Sequence, residues 1–169
     1  MKFSLKACLA VLSLAFFGAA VGMFGLSFVD AVAVVLGKSD KSSVCTGFEI
    51  AFGQTNLESG NTLGTLFAFI FVCVGVLAAL YGCFVAFQGK KSKKGNKNAK
   101  LICAICTFVV CGVVPAVLLF LTLQTAGATG SVKFGGLLGA NYSLGLGAIL
   151  AAVFSLLGAC SLSAAELSK

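Results

Sequence analysis

The chain has no histidine, no arginine and no tryptophan, and its 169 residues include one proline, Pro115. Each absence narrows the chemistry. Without histidine, the commonest metal ligand and the usual proton carrier near neutral pH are missing. Without arginine, so is the planar fork that grips carboxylates and phosphates two bonds at a time. No catalytic, cofactor-binding or metal-ligating set is therefore expected, and the function expected is non-enzymatic. Charge is scarce too, at 10% of residues, whereas 59% are hydrophobic and the mean hydropathy is +1.08, which excludes an ordinary soluble domain.

What the chain has is four long apolar runs, at about residues 7–29, 63–87, 101–123 and 141–164. A helix needs roughly 20 apolar residues to cross roughly 30 Å of hydrocarbon. Backbone polar groups cannot stay unpaired in lipid, so the runs are expected to be helices. The expected fold class is an all-α membrane protein: a four-transmembrane-helix bundle in a single domain spanning 1–169, with a small extracellular β-hairpin or sheet.

Between the second and third runs lie Lys90, Lys91, Lys93, Lys94, Lys97 and Lys100, half of the twelve basic residues. Lysine beside a span is retained on the cytoplasmic side. The chain is thus expected in the cell membrane as a multi-pass protein, with both termini and loop 88–100 cytoplasmic and loops 30–61 and 124–138 outside. Nine lysines against Glu166 give the inner side +8, and Lys38, Lys41 and Lys133 against Asp30, Asp40, Glu49 and Glu58 give the outer side −1. So partitioned, the net charge of +7 reports membrane orientation, with the bilayer and no nucleic acid as partner. The first run continues past the small residues Gly18, Ala19 and Ala20 to Val29, longer than the apolar region of a signal peptide, so it is expected to be a retained span rather than a cleaved leader.

In the larger outer loop, residues 29–36 are β-branched and are followed by the turn-rich 37–43. Residues 44–52 read as a second strand, and 131–134 offer a third. A continuation of the first helix through 30–36 is the alternative reading.

The last run has a small residue at every fourth position: Gly135, Gly139, Ser143, Gly147, Ala151, Ser155, Ala159 and Ser163. Residues four apart share one helix face, and small faces let backbones approach closely where lipid removes any hydrophobic drive between helices. The positions from Gly139 to Ala159 are the expected packing face, within the bundle or toward a second copy or protein partner. Shorter versions are Gly18 with Gly22 in the first run and Gly75 with Ala79 in the second. Pro115 removes one helical hydrogen bond and is expected to kink the third span.

Eight cysteines include the pair Cys103 and Cys106 in C-x-x-C spacing. Four spans with such a pair resemble the quinone-linked disulfide enzymes of the DsbB and VKOR type, but this pair follows Lys100, at the reducing face. Cys45 alone lies in an outer loop, where an open chain would leave it reactive. The segment at 46–53, the lysine hinge and the Gly-rich stretch at 144–152 resemble a diffuse group of uncharacterised four-span membrane proteins of low-GC Gram-positive bacteria. That resemblance implies the four-span layout and no activity. The order of loops resembles that of claudin-type tetraspans in topology only, since their first-loop tryptophan and paired cysteines are missing. The expected role is a structural or interaction subunit of a membrane assembly. A small oligomeric transporter or channel subunit comes second, and a membrane thiol redox enzyme third.

Overall fold

The computed structural model describes residues 5–35, 38–52, 59–88, 97–128 and 141–168. Helix α1 (Leu5–Met23) leads into strands β1 (Ser27–Val35) and β2 (Lys38–Thr46) and the short helix α2 (Gly47–Ala51). Helix α3 (Ser59–Phe87) follows. Then come α4 (Lys97–Phe108), a π-helical turn at Val109–Val113 and α5 (Val114–Ala128) as one continuous rod, strand β3 (Asn141–Leu144), and α6 (Leu146–Leu167). Four stretches are long and apolar enough to cross a membrane: Leu5–Met23, Leu63–Phe87, Asn98–Leu121 and Leu146–Leu167. The molecule is a helical bundle with a small antiparallel sheet at one end.

In lipid both faces of a helix are apolar, so size decides which face turns inward. On α6 the buried residues include Gly147, Ala148, Ala151, Ala152, Ser155, Gly158 and Ala159. Leu146, Val153, Leu157 and Leu167 on the same helix are exposed. On α1 the buried positions Ala7, Ala10, Ser13, Phe17 and Ala20 recur every three or four residues. The exception in size is Phe17, whose ring is 0% exposed. A methyl group placed on Gly75 of α3 would lie 2.5 Å from that ring, and one on Gly158 of α6 would lie 3.0 Å from it. Two glycines thus form the slot that lets an aromatic ring enter the centre of the bundle.

The boundaries of the first and last spans differ from the sequence reading. Helix α1 stops at Met23 rather than continuing to residue 29. The N–H groups of Phe24, Gly25 and Leu26 donate three residues back, to Val21, Gly22 and Met23 carbonyls, tightening the chain into a turn before the β-branched segment. At the other end, 141–144 form β3, so Ser143 belongs to a strand and not to a helix face. The alternative of a helix through 30–36 is overturned as well, since β1 pairs on both sides in the order β2-β1-β3.

The second strand is displaced towards the N-terminus. Polar residues 38–43, which read as a turn, pair with β1 in the register Ala33↔Asp40 and Ala31↔Ser42. Thr46 then ends the strand. Its hydroxyl accepts from the Glu49 N–H and its own N–H donates to the Glu49 carboxylate at 2.7 Å, a reciprocal cap that starts α2. The third strand expected at 131–134 lies outside the described residues.

On the third span the structure places a π-turn immediately before Pro115. The chain widens into the π-turn just before it, with the Val114 N–H reaching back to the Val109 carbonyl. A wider turn of this kind accommodates a residue that has no N–H to give.

A close test of the core is glycine substitution on two helices. Gly75→Ala should destabilise the protein by about 1–3 kcal/mol through overpacking against Phe17. Gly22→Ala, where nothing lies within 4 Å of the added carbon, should be neutral or stabilising by up to about 1 kcal/mol through helix propensity. Unfolding titrations in mixed micelles check both.

Candidate functional site

Three of the four spans carry one charged residue each: Lys6 on α1, Lys100 on α4 and Glu166 on α6, while Leu63–Phe87 carries none. The fold brings all three together. They line one cleft of about 250 Å³ with Ala99 and Cys103, at the end of the bundle opposite the sheet. The topology makes this meeting possible, because α1 and α4 begin where α6 ends.

Glu166 is tied into the third span. Thr107 donates its hydroxyl to Glu166 Oε1 at 3.3 Å. One turn away, Ser163 donates its hydroxyl to the Ala104 carbonyl at 2.9 Å. The other carboxylate oxygen, Oε2, is buried and has no hydrogen-bond partner. An acid held this way at the end of a span is costly in lipid and marks a place where function is to be sought. In the sequence Glu166 figures only as the one acid of the inner side. The signal that would have found the cluster is one charge at the loop-side end of each of three spans.

Of the hinge lysines, Lys90, Lys91, Lys93 and Lys94 lie outside the described residues. Lys97 opens α4, and Lys100 enters the cleft. Of the small-residue face on the last span, Gly139 lies outside the described residues, whereas Gly147, Ala151, Ser155 and Ala159 are buried within the chain. A methyl group on Gly147 would meet the Ser27 carbonyl at 2.8 Å and Leu26 at 2.9 Å, and one on Gly112 would meet Ala159 at 2.7 Å. The chain's own α1–β1 turn and π-turn therefore fill this face. Gly18 and Gly22 of α1, by contrast, meet no atom within 4 Å of an added carbon.

The cysteines are free thiols. Cys8, Cys103, Cys106 and Cys160 are exposed, and Cys45, Cys83 and Cys111 are buried. Among the described residues no three cysteine or acidic side chains gather closely enough to hold a metal ion. Cys45, read from sequence as reactive in an open loop, is 8% exposed. Burial, and secondarily the nearby Glu49 carboxylate, pushes its thiol above the usual value, which leaves little thiolate to react.

At the sheet end an aromatic cluster joins the elements. Phe24 packs on Phe28 at 4.8 Å and on Phe69 of α3 at 5.1 Å, and Phe48 and Phe52 close around Phe69 at 5.6 and 5.8 Å.

With this geometry, the class of the molecule is defined by its fold: it is an integral, multi-pass membrane protein. The chain matches no protein-family model and no curated protein.

The Thr46–Glu49 cap has a pH signature. The Thr46 N–H, and after it the Thr46 hydroxyl, hold the Glu49 carboxyl below its ordinary value of 4.5. Stability from the ionised carboxylate is complete above the ordinary value and is lost as pH falls through the lowered folded value. Amide exchange in Gly47–Ala51, corrected for intrinsic rates, should accelerate as pH drops below 4.5. Glu49→Gln should flatten that response.

Proposed function

We propose that the protein is a non-enzymatic structural or interaction subunit of a membrane assembly in the cell membrane, with both termini and the lysine loop cytoplasmic. The observation that carries this reading is the filling of the bundle's centre. The core cluster from Phe17 and Ala20 through Val72 and Ala79 to Ala151, Ala159 and Leu162 is apolar. Two of its buried polar neighbours, Ser13 and Ser155, donate to carbonyls of their own helices, Ala10 and Ala152. A solute crossing one copy of the chain would find neither an acceptor row nor a charged relay along that core. Among the described residues the charged positions lie towards the two ends of the bundle, where partners would meet them.

The lysine partition supports the orientation. In a background lacking exposed Cys8, Cys103, Cys106 and Cys160, a Ser92→Cys thiol should resist an impermeant maleimide in intact cells and react after permeabilisation. Reaction in intact cells would reverse the orientation.

A second reading, an oligomeric transporter or channel subunit, is favoured by Gly18 and Gly22, an unoccupied small-residue strip on α1 where a second backbone could approach. Mass measurement of the protein extracted in mild detergent separates the two. A complex with a different, larger protein at fixed stoichiometry is the expected result. A defined homo-oligomer that Gly22→Leu disperses would establish the second reading instead, and a lone monomer after crosslinking in intact membranes would contradict both.

A further inference from the structure

The cleft formed by Lys6, Lys100 and Glu166 is not explained by topology alone. Orientation requires lysines near the membrane; it does not require the charged residue of each of three spans to converge on one cavity. Thr107 engages the Glu166 carboxylate from the third span. Among the described residues, neither Lys6 nor Lys100 closes an ion pair with it within 4.0 Å. Two half-buried ammonium groups thus share the cleft with a single carboxylate, that of Glu166, which Lys6 faces electrostatically.

Each charge also has an exposed large apolar neighbour in sequence: Leu5 beside Lys6, Leu101 beside Lys100 and Leu167 beside Glu166. The cleft therefore sits on a boundary between charged and apolar surface, the combination that a lipid's phosphate and acyl chains would match.

We infer that this cleft binds the phosphodiester of an anionic membrane glycerophospholipid, with Lys6 and Lys100 as its cations and its acyl chains along the exposed faces of α1 and α4. Basic pockets between spans are the usual setting for such recognition. Glu166 positions rather than binds: through Thr107 it ties α6 to α4, the helix that carries Lys100. The inference is independent of the proposed subunit role, because lipid occupancy and partner capture are measured separately.

Native mass spectrometry of the full-length protein, offered equal phosphatidylglycerol and phosphatidylcholine, tests it, with inorganic phosphate as competitor. Phosphatidylglycerol should be retained over phosphatidylcholine, and inorganic phosphate should not displace it. At about 1 kcal/mol per lysine, Lys6→Gln with Lys100→Gln should weaken retention on the order of 25-fold, and Lys100→Gln alone roughly 5-fold should the double variant not accumulate. Lys6→Arg with Lys100→Arg should keep it. The matched control, Lys38→Gln with Lys41→Gln on β2 at the far end, should leave it unchanged. Equal loss in both glutamine pairs, equal retention of the two lipids, or displacement by inorganic phosphate would overturn the inference.

Discussion

The ring of Phe17 holds the bundle together from its centre. In lipid, apolar surface gains little by turning from acyl chains to another helix, so association rests on close dispersion contacts and on the few polar bonds between spans. One aromatic side chain of α1, entering between Gly75 of α3 and Gly158 of α6, brings three spans into contact through a single group. The same buried cluster holds many small residues, among them Ala20, Ala79, Ala151 and Ala159.

The two ends are built differently because their surroundings differ. At the sheet end, backbone bonds bind the elements: the Gly47 N–H donates to the Leu26 carbonyl, Phe48 to Phe24 and Gly145 to Phe28. A short sheet alone would be marginal in water; here β1 is continuous with α1 through a tight turn and β3 leads straight into α6. The Phe24–Phe69 contact adds an edge-on aromatic pair to that junction. At the opposite end, side chains do the joining, through Thr107 with Glu166 and Ser163 with the Ala104 carbonyl. These bonds place a carboxylate at the edge of the hydrocarbon, where it is tolerated only with partners.

The four spans were legible in the sequence because length and apolarity alone decide whether a segment crosses a membrane. Ser143 and Val29 show where that logic ends. Both belong to apolar runs that a membrane helix would accept, and both are in the sheet, since the turn at Phe24–Leu26 and the pairing of β1 with β3 compete successfully for the backbone. Polar residues 38–43 have the composition of a turn and form a strand, because cross-strand bonds to β1 override local preference. Thr46 and Glu49 carried a readable helix-start signal, hidden inside a segment whose alternating apolar residues resemble a strand. The Phe17 slot and the three-span cleft were illegible for another reason: they depend on which helices are neighbours, and apolar sequences of this kind have little amphipathic periodicity to report that.

The claim on which everything else rests is that Phe17 and the two glycines act as one unit, and a double-mutant cycle of Phe17→Leu with Gly75→Ala measures it most directly. The smaller side chain should relieve the overpacking. Gly75→Ala should therefore cost less in the Phe17→Leu background than in the native one, with a coupling energy of about 1 kcal/mol or more. Additive costs, equal within roughly 0.3–0.5 kcal/mol, would contradict the account.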